Sequence, residues 1–269
     1  DDWWRSASPP PRDTGDRMKL RVRFEELGKV RWISLRDIAR CCERAVRRAK
    51  LPVAYSEGFS PRPRISFGLA LPTGAESLAE YLDIDFGTND VDVEQVGSSL
   101  STGLPVGIDV TATAPLLQGS DSLQEAVVAC RWEIGVFGEP MPAGWFTAAA
   151  DRLLAARELV VTRERKGVIV SDDIRPNIAA LSAEVRPDGT PILAAELTTQ
   201  PRGVRLAELV LALDLPVPRL DVPRTYHWLS PHGPGTAPPL PGPETPSSPV
   251  LSHPAATPAG AAASPEKRG

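Results

Sequence analysis

The first stretch of the chain alternates apolar and basic residues as a half-buried β-strand does. Over 19–24, Leu20, Val22 and Phe24 alternate with Lys19, Arg21 and Arg23, which predicts an apolar inner face and a basic outer face exposed to solvent. A helix is then predicted over 34–50, because apolar residues recur at helical spacing and Ser34 can act as its N-cap. Arginines occupy the opposite side of this helix.

The rest of the pattern predicts an α+β protein. In the first half, strands at 65–70, 80–86 and 107–114 and a second helix at 91–100 complete the order strand, helix, strand, strand, helix, strand. This is the split βαβ order of a ferredoxin-like unit. The second half varies the same theme, with strands at 127–137, 159–164, 167–171, 178–186 and 192–198 and helices at 143–156 and 204–213. We therefore predict two tandem ferredoxin-like domains, 18–120 and 121–229.

Both ends of the chain have the composition of disordered segments. Residues 1–17 contain three consecutive prolines and no periodic apolar pattern, and the last forty residues, 230–269, contain eleven Pro and five Gly. Such segments cannot bury enough apolar surface to offset the entropy lost on ordering. We predict a disordered N-terminal extension and a disordered C-terminal tail.

Composition also bounds the compartment. No run of about eighteen apolar residues is present, so we expect no membrane span. The three cysteines, Cys41, Cys42 and Cys130, are odd in number and two are adjacent, which does not suit a disulfide framework. A cytoplasmic protein is expected.

Charge is strongly segregated along the chain, although the net charge is only −4. Residues 18–64 contain thirteen Lys and Arg against five acids, and residues 65–130 contain ten acids and no base. A basic segment of this kind can attract a polyanion or an acidic partner. The open alternative is that the basic segment pairs internally with the acidic segment.

The basic segment suggests RNA as the polyanion. Arginine forks bind phosphate and aromatic rings stack on unpaired bases, and both side-chain types occur on the predicted helix and in the loop at 55–64. Pro61 and Pro63 would stiffen that loop and lower the entropy cost of binding. The candidate nucleic-acid-binding residues are Arg21, Arg23, Arg31, Arg36, Arg40, Arg44, Arg47, Arg48, Tyr55, Phe59, Arg62 and Arg64.

Catalytic and cofactor chemistry has little support in the sequence. The three cysteines lack the CxxxCxxC spacing of a radical SAM cluster, and of the three histidines only His227 lies outside the tail. Tyr81, Asp83 and Asp85 share the predicted outer face of one strand, where they would pair with arginines, face solvent, or hold Mg²⁺. We predict no cofactor, no metal and no catalytic residue.

Several motifs carry a family resemblance. The stretch 28–34, Gly-Lys-Val-Arg-Trp-Ile-Ser, and the stretch 51–67, which contains Ser-Glu-Gly-Phe-Ser-Pro-Arg-Pro-Arg, are joined by Leu-Pro-Thr-Gly at 71–74 and Glu-Tyr-Leu-Asp at 80–83. With these motifs the chain resembles the radical-SAM-linked (radical SAM-associated) protein family. That family usually has His where this chain has Leu35 and Arg62. Any metal-binding or proton-transfer function of those histidines is therefore not supplied by this chain.

The resemblance implies an accessory of radical SAM or RNA-processing machinery, with a radical SAM enzyme or a ribonuclease of the E/G type as partner. The sequence is interpreted as a non-catalytic accessory protein that binds RNA. Two alternatives stay open. One is a metal-independent RNA endonuclease or RNA-modifying enzyme that uses Arg, Tyr or Ser of the loop, since paired ferredoxin-like folds also occur in CRISPR RNA endonucleases. The other is a purely protein-binding module for a radical SAM partner.

Overall fold

The computed structural model of the chain describes residues 18–116, 120–136, 141–165, 167–200, 202–214, 220–221 and 223–229. The predicted disordered tails, 1–17 and 230–269, lie outside these residues. The described part is a mixed α+β structure with antiparallel sheets. Its first half contains β1 (Lys19–Glu26), α1 (Leu35–Arg48), β2 (Ile65–Phe67), β3 (Glu76–Asp85), α2 (Val93–Gly103) and β4 (Ile108–Leu116).

The second half follows the predicted pattern with additions. A four-residue helix precedes its first strand, and two strands follow its last helix, none of which was predicted. The elements are α3 (Leu123–Ala126), β5 (Val127–Val136), α4 (Ala143–Ala155), β6 (Val160–Arg165), β7 (Val168–Asp173), β8 (Ile178–Val185), β9 (Pro191–Thr198), α5 (Leu206–Leu213), β10 (Leu220–Asp221) and β11 (Pro223–Leu229). No helix in the described part is long and apolar enough to span a membrane.

The two halves share one sheet. Its strand order is β4-β1-β3-β11-β5-β9-β8, with β2 paired to β3 and β10 paired to β5. The last strand, β11, pairs parallel with β3 and antiparallel with β5, and so joins the strands of the two halves. Strands β6 and β7 form a separate two-stranded sheet.

The inner face of β1 builds the first core, as its alternation predicted. Leu20, Val22 and Phe24 are buried against β3 and α1, and they share a cluster with Ile38 and Val46 of α1. Because apolar side chains gain about 25 cal/mol for each Å² removed from water, this seam fixes α1 on the sheet. The arginine side of the helix is thereby turned outward.

The predicted start of α1 is confirmed. The hydroxyl of Ser34 accepts a hydrogen bond from the amide of Asp37 at 3.3 Å and donates one to the Asp37 carboxylate at 2.7 Å. The hydroxyl bond is the main reason that the pKa of Asp37 lies below its ordinary value. Beyond the helix end, Lys50 adopts a left-handed conformation, with φ of 52°, which stops the helix.

The outer face of β1 is buried, and the prediction that it faces solvent is wrong. Arg21 and Arg23 are each only 5% exposed, and neighbouring Tyr81 of β3 is 1% exposed. This face is covered by a small apolar cluster in which Leu123 of α3 packs on Ala79 and Tyr81. Burial raises the pKa of Tyr81 to about 12, against the opposing charge of Arg23.

The buried arginines are held by polar partners on adjacent strands. Arg21 and Asp83 lie opposite each other in the β1–β3 register, and the guanidinium donates to both carboxylate oxygens, at 2.8 and 3.0 Å. Arg23 donates to the Thr111 hydroxyl of β4 at 2.9 Å. Of the alternatives left open for Asp83, pairing with a neighbouring arginine is the one observed.

The second core lies between the sheet and α4 with α5. Trp132 and Ile134 of β5 and Leu193 of β9 pack with Phe146 and Leu153 of α4 in one buried cluster. Partly buried Leu69 and Leu71, from the segment after β2, also pack against this cluster. The first half of the chain therefore contributes side chains to the core of the second half.

Removal of the Asp83 carboxylate should destabilise the fold severely. Asp83→Ala leaves Arg21 as an uncompensated buried charge, so we expect a loss of about 3–5 kcal/mol in the free energy of unfolding, measured with urea. The double variant Arg21→Met/Asp83→Leu should recover most of it, because neither side chain is then charged.

The matched control is Glu43→Ala, which removes the half-buried i,i+4 partner of the exposed Arg47 and should cost about 0.5 kcal/mol or less. If Asp83→Ala costs no more than this control, the buried pair has been misjudged.

Candidate nucleic-acid interface

The outer side of α1 is a row of exposed cations. Arg36, Arg40, Arg44, Arg47 and Arg48 are all exposed, and so is Lys50 just beyond the helix. With a rise of 1.5 Å per residue, the fourteen residues of α1 extend about 20 Å. A ligand bound along this side would meet positive charge over that whole length.

The partners of these arginines lie on α1 or are neutral. Arg40 contacts Asp37 at 3.1 Å, and Arg47 contacts Glu43 at 3.5 Å, both within the helix. Arg44 donates to the Cys41 sulfur at 3.1 Å. Exposed pairs of this kind contribute only about 0–1 kcal/mol, so phosphate can replace the carboxylates at little cost.

Internal pairing with the acidic segment accounts for other cations. Lys19 contacts Asp85 at 3.3 Å, and Arg31 contacts Glu76 at 3.2 Å, in addition to the Arg21 and Asp83 pair. Within the described residues, no ion pair joins an arginine of α1 to the acidic segment 65–130. The alternative of internal pairing therefore applies to β1 and to Arg31, and the row on α1 remains available.

The structure removes three predicted residues from the candidate surface. Arg21 and Arg23 are each only 5% exposed, on the sheet face that carries the Leu123 cluster. The side chain of Arg31 is only 11% exposed and its guanidinium faces Glu76. A buried arginine that already holds a carboxylate cannot also meet a phosphate without breaking that contact.

The loop at 55–64 has a base that is held in place by backbone hydrogen bonds. The amide of Ala54 donates to the Asp85 carbonyl at 2.8 Å, and the amide of Asp85 donates to the Arg64 carbonyl at 3.0 Å. Tyr55 and Pro63 form a β-bridge above this base, and the Ser56 hydroxyl accepts from the amide of Arg62 at 3.0 Å. The base of the loop is thus fixed to the end of β3.

This loop exposes the aromatic and basic groups that were predicted to bind RNA. Phe59 is fully exposed, Tyr55 is 41% exposed, and Arg62 and Arg64 are exposed. Gly58 precedes Phe59 with φ of 122°, a conformation that only glycine adopts without strain. The local backbone therefore presents Phe59 to solvent.

One end of α1 lies beside the loop. The amide of Leu51 donates to the Val46 carbonyl at 3.2 Å, and Val53 pairs with Phe86 just past the end of β3. Arg47 and Arg48 therefore lie at the end of the helix from which the loop departs. Arg36 lies about 16 Å further along the helix axis.

Sequence reasoning missed an aromatic residue at the far end of the helix. Trp32 is 66% exposed, and the guanidinium carbon of Arg31 lies 5.3 Å from the centre of its ring. It precedes Ser34, the N-cap of α1, by two residues. The available signal was an aromatic residue inside the motif at 28–34, next to the first arginine of the helix.

The described residues contain no cluster of metal-ligating side chains, and their cysteines are buried. No group of three or more His, Cys, Asp or Glu side chains is placed there to hold a metal ion. Cys41, Cys42 and Cys130 are free and buried, and burial is the main cause that raises the pKa of Cys42 to about 12. The side chain of His227, on β11, lies outside the described residues.

Comparison with known protein families places the chain in one of them. No curated protein matches it. The family model described as "Uncharacterized protein conserved in bacteria (DUF2344)" matches residues 19–206, from β1 to the start of α5. That span includes the arginine row, the loop at 55–64 and Trp32. The chain therefore belongs to the DUF2344 family of uncharacterized proteins conserved in bacteria.

Proposed function

We propose that this protein binds single-stranded or looped RNA through α1 and the loop at 55–64. One observation carries the proposal. The arginines of α1 stay exposed while the acidic segment takes its described basic partners from β1 and the turn after it. The exposed rings of Tyr55 and Phe59 lie on the loop that follows α1.

Phosphate and unpaired bases fit these two kinds of side chain. Arginine forks donate paired hydrogen bonds to phosphate oxygens, and binding releases the counterions condensed on the nucleic acid. Aromatic rings stack on bases of any sequence, which adds affinity without base-specific hydrogen bonds. The firm base of the loop would lower the entropy cost of binding.

A non-catalytic accessory role suits the residues at this surface. The side chains that meet the ligand are arginines and aromatic rings, and arginine is a poor general base because it stays protonated. The enzyme alternative, a metal-independent RNA endonuclease or RNA-modifying enzyme, draws its support from Tyr55 and Arg62, which lie on opposite arms of one short loop.

The resemblance at 28–34 and 51–67 supports a setting for this role. We propose a cytoplasmic accessory of radical SAM or RNA-processing machinery, with a radical SAM enzyme or a ribonuclease of the E/G type as partner. The third proposal, a module that binds only a radical SAM protein, would use the same basic surface against an acidic protein face.

Strand order supports the finer interpretation of the fold. The first half runs in the order β4-β1-β3-β2, and the second half in the order β11-β5-β9-β8. Each half has the connections of a split βαβ unit if the hairpin β6–β7 is an insertion. We infer two tandem ferredoxin-like units, at 18–120 and 121–229, that share β11 as their junction.

Neutralising the far end of the arginine row should weaken RNA binding. For Arg36→Gln/Arg40→Gln we expect roughly tenfold lower affinity for fluorescein-labelled oligouridine, and a salt slope shallower by about 1.4, because two phosphate contacts are lost. Fluorescence anisotropy over a salt series measures both.

The control Arg157→Gln/Arg205→Gln removes the same charge from exposed positions in the second half and should leave affinity within about twofold. Oligouridine binding that does not depend on salt, or no binding by the intact protein at low salt, would contradict the proposal.

The purified protein should not cleave RNA. We expect intact structured RNA after incubation with Mg²⁺ or with chelator, and loop variants Tyr55→Phe and Arg62→Ala should alter affinity alone. Gel analysis of end-labelled RNA checks this. Site-specific cleavage that either substitution abolishes would establish the endonuclease alternative instead.

A further inference from the structure

We infer that Trp32 is a further base-stacking residue, at the opposite end of α1 from the loop that carries Phe59, and that it selects single-stranded over duplex RNA. This inference rests on the proposed function and deepens it. Trp32 lies outside the set of residues that the sequence pattern suggested. The residue is 66% exposed, although indole is among the most costly side chains to leave in water.

The backbone around Trp32 is held in place. The amide of Gly74 donates to the Arg31 carbonyl at 2.7 Å, which fastens the turn at 28–32 to the start of β3. The side chain of Arg31 is anchored on Glu76 at 3.2 Å, and the Glu76 carboxylate also accepts from the amide of Gly28 at 2.8 Å. A ring on such a fixed turn loses little freedom when a base stacks on it.

The indole also depends on a glycine beneath it. A Cβ built on Gly74 would lie 3.1 Å from the nearest ring carbon of Trp32, so any larger residue would displace the ring. Gly74 further adopts φ of 92°, which disfavours other residues. Gly74 lies close to one edge of the ring and the Arg31 guanidinium lies over it, and Trp32 still keeps 66% exposure.

The positions of the two rings select the form of the RNA. Trp32 lies four residues before Arg36, ahead of the start of α1. Phe59 lies on the loop that follows the other end of the helix, and it is fully exposed. An RNA strand that follows the row over its length of about 20 Å would reach Trp32 at one end and the loop that carries Phe59 at the other. Bases in a duplex are already stacked and paired, so they are not free to stack on either ring.

The test compares Trp32→Ala and Trp32→Phe with the intact protein on oligouridine and on an RNA duplex of the same length. Trp32→Ala should weaken oligouridine binding about tenfold, the size of one base–aromatic stack, without changing the salt slope. Trp32→Phe should retain affinity within about threefold, and neither variant should change duplex binding. The control Leu211→Ala, at a residue 63% exposed on α5, should bind like the intact protein.

The outcomes separate this inference from the function it rests on. If the intact protein binds oligouridine and Trp32→Ala binds equally well, the stacking assignment is wrong and RNA binding stands. An equal loss on single-stranded and duplex RNA overturns the selectivity. No RNA binding by the intact protein overturns both. Combining Trp32→Ala with Phe59→Ala should multiply the two losses, because distant sites act independently. Equal thermal unfolding of the variants excludes a loss of fold.

Discussion

The contact between Arg21 and Asp83 is the interaction on which the distribution of charge depends. It joins the basic strand β1 to the acidic strand β3 in register, on a sheet face that Leu123 covers. A charge buried on such a face requires a partner, since desolvation costs several kcal/mol for each ion. The arginines of α1 meet no such requirement, because the helix lies on the opposite face and projects them into water. The fold thus separates structural arginines from available ones.

Local periodicity was enough to predict most of the elements. The alternation in β1 identified its inner residues, and Ser34 identified the start of α1, because both signals depend on a few neighbouring residues. The burial of the outer face of β1 was not predictable in this way. It depends on α3, about a hundred residues later in the chain, and an alternating pattern distinguishes two faces without revealing what covers each one.

The link between the halves was also invisible in the sequence. Strand β11 pairs with β3 and β5, and strand pairing over such a distance leaves no local trace in either segment. Helix α3 is only four residues long and has no periodicity to detect. The segment that leads into α3 bears on the site, because the Asp121 carbonyl accepts a hydrogen bond from the buried Arg21 at 3.3 Å, which helps to hold this arginine away from the candidate surface.

Most of the candidate surface was predictable from the sequence, but the inclusion of Arg31 and the omission of Trp32 were wrong. Arg31 and Arg36 are five residues apart and alike in type, yet Arg31 lies on a turn facing Glu76 and Arg36 lies on the outer side of a helix. Only tertiary structure distinguishes them. The charge pattern does not mark Trp32, because its exposure results from a turn packed against Gly74.

Photo-crosslinking of the intact protein to 4-thiouridine-containing oligouridine, followed by peptide mapping, tests the central claim most directly. Adducts are expected in peptides that contain Trp32, Tyr55 or Phe59, and they should be lost at high salt together with binding. Adducts confined to the second half, or none under conditions in which the RNA is bound, would contradict it.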